Sequence, residues 1–124
     1  MTRRRDSGST VVEYVVIVPV VMLVVLIAVQ AAVYLHAANI ARHAASSGAV
    51  AASHRGASGS DGEVEAVRVA RESGSTEPRV AVVGSTEVEV TVTLSVPRVA
   101  PFFPSSVSRT ARLPKERYVT EDRR

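Results

Sequence analysis

Few side chains here are of a type that does chemistry, and their spacing narrows what is open to them. There is no cysteine, so disulfides, thiolate metal sites and Cys nucleophiles are excluded. His36 and His43 share a helix face but stand about 10.5 Å apart along its axis. A zinc ion with nitrogen ligands at about 2.1 Å does not comfortably bridge that distance. His54 falls in a loop, so neither a metal nor a cofactor is expected. No nucleophile elbow, zinc-binding H-E-x-x-H, phosphate loop or dinucleotide fingerprint occurs. Gly56-Ala57-Ser58-Gly59 lies in a Gly/Ser-rich linker with no base placed beside it, and an enzyme is not expected. What remains is one misplaced carboxylate. Glu13 sits two residues inside an apolar stretch. An acid costs about 2.5–3.5 kcal/mol at the centre of a membrane helix and less near the headgroups. Solvation by the headgroups explains why it is tolerated there. A cationic partner would also explain why it is placed there.

The element that must carry Glu13 is apolar from Val11 to Ala38, interrupted only by Glu13, Gln30, Tyr34 and His36. About 20 helical residues cross a hydrocarbon core of roughly 30 Å. Tyr14–Leu35 is long enough, and nothing else in the chain is apolar enough to bury it. Valine is a poor helix former in water, but in lipid a single span has to be helical to satisfy its backbone. Pro19 lies inside it, where a proline removes one backbone hydrogen bond and marks a bend. Arg3, Arg4 and Arg5 precede the span, and only Arg42 and His43 follow closely. The positive-inside rule puts the N-terminus in the cytoplasm and the residues from about 40 onward outside. A secretory signal peptide is the competing reading, but the apolar run is long and no A-x-A site with turn residues follows it.

Gly8-Ser9-Thr10-Val11-Val12-Glu13-Tyr14 follows a short basic leader and opens the apolar helix. The string resembles a prepilin processing site of the Flp (type IVb) kind. In that pattern a glycine precedes the cut, with glutamate fifth and an aromatic residue sixth in the mature chain. Ser9 to Pro19, STVVEYVVIVP, is similar to the opening of TadE-like pilus-assembly proteins. So are Val33-Tyr34-Leu35, the Ala-rich stretch after Asn39 and the terminal Ser108–Glu116. The resemblance implies a pseudopilin or pilus-assembly component of a Tad/Flp-type pilus or secretion machine. Its processing site would be Gly8 and Ser9, and its assembly motif Glu13 and Tyr14. Its partners would be a prepilin peptidase, other pilins or pseudopilins, Tad assembly proteins and the cell membrane. The alternative is a bitopic membrane anchor that keeps its leader. Cleavage would leave Ser9 with a free amine of pKa about 7.7–8.0, and a neighbour shifted along the axis could bring that cation to Glu13.

Beyond the span, small residues recur at helical spacing. Ala41/Ala45, Ala44/Gly48 and Gly48/Ala52 are small-xxx-small pairs that let another backbone approach closely. Their partner is either a neighbouring subunit or this chain's own sheet. Ser53–Gly62 is a loop, and Ser60 with Glu63 has the spacing of a capping box, predicting a short helix to about Ser73. Val80–Val83 is a short strand candidate. In Glu87–Val96 valine and leucine alternate with Glu, Thr and Ser, as in a strand with one face covered. Val107–Leu113 is a last strand candidate. Phe102-Phe103, between Pro101 and Pro104, is expected to plug the core.

The fold class is therefore α+β. A long N-terminal transmembrane helix extends outside the membrane and is joined by a short helix and a small antiparallel sheet, in pilin-like fashion. The expected segments are a leader (1–8), the span (9–38), its extension (39–54), a small extracytoplasmic domain (55–114) and a mobile charged tail (115–124). The net charge of +3 is concentrated in the leader. No basic face with interleaved aromatics exists, so nucleic acid is not an expected partner.

Overall fold

The computed structural model describes residues 7–116, with the backbone alone for 7–10. The leader before Ser7 and the tail after Glu116 lie outside the described residues. Helix α1 runs from Ser7 to Ser53 without interruption, through Pro19. Helix α2 spans Gly59–Glu72, and strands β1 (Arg79–Val83), β2 (Glu87–Ser95) and β3 (Ser106–Pro114) follow. The strands form one antiparallel sheet in the order β1-β2-β3. The arrangement is α+β, as the sequence pattern predicts.

The alternation in β2 sets the architecture. Val88, Val90, Val92 and Leu94 are buried, while the residues between them face outward. The buried face packs on the second half of α1, where Ala37, Ala38, Ala41, Ala44, Ala45, Ala49 and Ala52 join the same core. The outer face is held by polar cross-strand pairs. Thr91 and Thr110 share a hydroxyl hydrogen bond of 2.8 Å, as do Thr93 and Ser108 at 2.6 Å. Arg112 pairs with Glu89 at 2.9 Å. Such pairs fix register more than they stabilise. At the β1–β2 hairpin, Gly84 has φ +116, with the Glu87 carbonyl where a Cβ would stand. Only glycine fits that turn.

Helix α2 begins two residues earlier than the Ser60/Glu63 spacing suggests. Its N-cap is Ser58, whose backbone N–H donates to Asp61 Oδ2 at 2.7 Å. That contact satisfies a donor the helix start leaves free. It also holds the Asp61 carboxyl below its ordinary pKa range, helped by the Ser58 hydroxyl. On the exposed face of α2, Arg68 bridges Glu65 and Glu72. The end of α1 is tied down as well, because the Glu116 N–H donates to the Ser53 carbonyl at 3.1 Å.

The Phe102-Phe103 pair does not plug the core. Phe102 is 70% exposed, and the two rings pack on each other with centroids 4.6 Å apart. Alanine, valine and leucine from α1, α2, β2 and β3 already fill the core, and the pair lies in the proline-rich loop between β2 and β3.

Candidate functional site

The residues at issue lie along α1, and its two halves place them in opposite surroundings. From Val11 to Val29 every side chain is exposed. A helix that is apolar all round and unpartnered belongs in lipid. The stretch has a window of mean hydropathy 2.9, and α1 is the one helix among the described residues long and apolar enough to cross a membrane.

Gly8 and Ser9 fall in the first turns of α1. Glu13 and Tyr14 are exposed, Tyr14 by 65%. Glu13 stands four residues after Ser9, about one turn, on the same face. Within one chain Glu13 has no cation beside it among the described residues.

Ala41, Ala44, Ala45 and Gly48 are buried in the chain's own fold. A Cβ on Gly48 would lie 2.7 Å from the Gly62 carbonyl oxygen and 2.8 Å from the Ala66 Cβ. One on Gly62 would meet the Gly48 carbonyl oxygen and the Ala52 Cβ, each at 2.7 Å. The two helices thus cross backbone against backbone at paired glycines. The groove of small residues is filled by α2 and the sheet.

Gln30 holds a place in the structure that the sequence does not announce. It is 1% exposed, and among the described residues it is the one buried polar or charged side chain. Its amide nitrogen donates to the Pro97 carbonyl at 3.1 Å, and its oxygen accepts the Val99 N–H at 2.9 Å. Both ends of the amide are used to hold the β2–β3 loop, Val96–Ser105, against α1. The available signal was a lone polar residue closing an uninterrupted apolar run.

A cleft of about 420 Å³ between α1, the α2–β1 loop and the end of β2 is lined by His36, Ser73, Glu77, Ser95 and apolar residues of α1 and β2. No group of three metal-ligating side chains occurs among the described residues. His36, His43 and His54 are all exposed.

A helix that is bare for its first half and covered by a small domain on its second is the build of a single-pass membrane protein. Residues 8–50 match the family model described as TadE-like protein, so the resemblance of the opening residues is borne out over that span. The match begins at Gly8 and ends three residues before α1 does, with α2 and the sheet outside it. It associates the chain with Tad pilus assembly. No curated protein and no solved structure matches the chain.

Proposed function

We propose that the chain is a minor pseudopilin or assembly component of a Tad/Flp-type pilus or secretion machine. Its leader is removed after Gly8 by a prepilin peptidase. The leader arginines keep the N-terminus in the cytoplasm, and α2 and the sheet lie outside it. The observation that carries the reading is the family match starting at Gly8, on a helix left bare from Val11 to Val29, its Glu13-Tyr14 pair included.

The mechanism is electrostatic. Cleavage creates an α-ammonium group on Ser9 at the edge of the apolar layer, and Glu13 is a carboxylate just inside it. Each is costly to bury alone, and leaving either unpaired is worse than pairing both. When helices pack with an axial shift, the Ser9 amine of one chain reaches Glu13 of the next. The exposed valine surface supplies the lateral contact. The small residues of the second half are committed to the chain's own domain and take no part.

Intact mass and N-terminal sequencing of the membrane-extracted protein test this, with and without a co-expressed prepilin peptidase. A chain starting at Ser9 only when the peptidase is present is the expected result. A chain still starting at Met1 or Thr2 in both cases supports an uncleaved bitopic anchor and removes the reason for an amine–Glu13 pair.

A further inference from the structure

We infer that the β2–β3 loop is a second membrane contact, an apolar hook that seats Phe102 and Val99 in the headgroup–acyl boundary beside the span. The inference rests on α1 spanning a bilayer and needs neither cleavage nor filament assembly.

The axial level of the loop carries the argument. Val11 to Gln30 is 20 residues, a length of about 30 Å, the thickness of the hydrocarbon core. The chain's own domain begins to cover α1 at Gln30, which sets the outer boundary of the bilayer near that level and not at Leu35. Strand β2 runs back along α1 toward that level. Val90 lies against Gly48, Leu94 and Pro97 share a cleft with Val33 and Ala37, and Pro97 and Val99 are bound by Gln30 itself. The chain then reverses in the turn closed by Phe103 N–H to the Ala100 carbonyl at 3.2 Å, and Val96 N–H rejoins Ser105 at 2.8 Å.

What the loop offers at that level suits lipid. Val99 is 50% and Phe102 70% exposed. Residues 96–105 read VPRVAPFFPS, with one arginine and no acid. Aromatic residues favour the interface, and an arginine there can send its head to lipid phosphates. A soluble surface has little reason to hold such a patch in place with a buried amide. By contrast, the outer face of the sheet is threonine, serine and ion pairs.

The chain contains no tryptophan, so each substitution introduces a single reporter. The full-length protein carrying Phe102→Trp, Val83→Trp or Val21→Trp is reconstituted in phosphatidylcholine/phosphatidylglycerol vesicles. Lipids brominated near the glycerol or near the acyl ends then serve as quenchers. Phe102→Trp should emit at shorter wavelength than Val83→Trp, and shallow bromolipids should quench it at least threefold more. It should also be shielded from aqueous acrylamide. Val83, at the far hairpin of the sheet, is the aqueous reference. Equal behaviour of Phe102→Trp and Val83→Trp overturns the inference. So does shielding that depends on protein density without bromolipid quenching, which would place a second copy of the chain on the loop. Val21→Trp separates the two readings. If deep bromolipids fail to quench it, the span itself is wrong and the inference falls with it. If they do quench it while Phe102→Trp stays aqueous, only the loop contact is refuted.

Discussion

The two halves of α1 solve opposite problems with the same backbone. Val11–Val29 is β-branched and bulky, poor in helix propensity, and bare on every side. Ala37–Ala52 is small, rich in the best helix former, and buried along one face under α2 and the sheet. The first half needs lipid to be a helix, because only there must every backbone group bond internally. The second half would favour a helix in water, and its small side chains let other backbones come close. The contrast predicts that side-chain volume is nearly irrelevant before Gln30 and decisive after Ala37.

The sharpest way to break that contrast is to add volume on each side. Gly48→Leu forces a branched side chain into the Gly62 carbonyl and Ala66, and should cost about 3 kcal/mol by overpacking. Val18→Leu adds one methylene to an exposed position and should stay within about 0.5 kcal/mol. Thermal unfolding in detergent, followed by circular dichroism, compares the two. Equal losses would mean that the crossing of α1 and α2 is looser than the paired glycines indicate.

Gln30 stands at the border, and its effect should be intermediate. Gln30→Ala leaves the Pro97 carbonyl and the Val99 N–H without their partner. A buried polar group so orphaned costs about 1–3 kcal/mol. Because the damage is local, the readout is hydrogen exchange. The Val99 amide should lose protection while the amides of Val90 and Val92 keep theirs. Uniform loss across β2 would show that Gln30 supports the whole sheet and not the loop alone.

Gln30 also shows where the sequence stops being legible. Local patterns were readable wherever neighbours in the chain decide the outcome. The alternation from Val88 to Leu94 marks β2 and its buried face, and the uninterrupted apolar run marks the first half of α1. The start of α2 was displaced by two residues because Ser58, Ser60, Asp61 and Glu63 offer two overlapping caps. Only the backbone turn decides that Ser58 and Asp61 close it. The partners of Gln30 are 67 and 69 residues away, so no local pattern announces them. A like distance hides the place of Phe102-Phe103, which is set by where β2 ends along α1. Small-xxx-small spacing identified a packing face but carried no information on whether the partner was this chain or another.

A smaller effect is expected at the α2 start. The Ser58 N–H and hydroxyl depress the Asp61 pKa in the folded chain. A carboxyl lowered on folding adds stability that is present above its ordinary value and is lost as pH falls below about 4. The fraying of the first turn of α2 should therefore rise with acidification through that range, and Asp61→Ala should weaken the dependence, leaving the share that Glu65 contributes through Arg68. Exchange of the α2 amides measured between neutral pH and acid reports it. A turn equally protected at both ends would show that the contact is too solvated to matter.

Glu13 should have the least effect on the fold and the most on function, which completes the contrast. It lies in the bare half and makes no contact with α2 or the sheet, so Glu13→Ala should leave the unfolding midpoint unchanged. Cleavage after Gly8 should persist, because the bond and its small residue are untouched. Under the proposed pairing assembly should fail, because the Ser9 amine of each neighbour would then be buried without an anion, and removing one partner of a buried pair costs more than never burying it. Glu13→Gln separates charge from hydrogen bonding: it keeps the shape and an acceptor but no charge, and should also fail if ion pairing is the operative force. Normal piliation with Glu13→Ala would rule out the amine–carboxylate pair and leave lateral valine packing as the only force this half supplies.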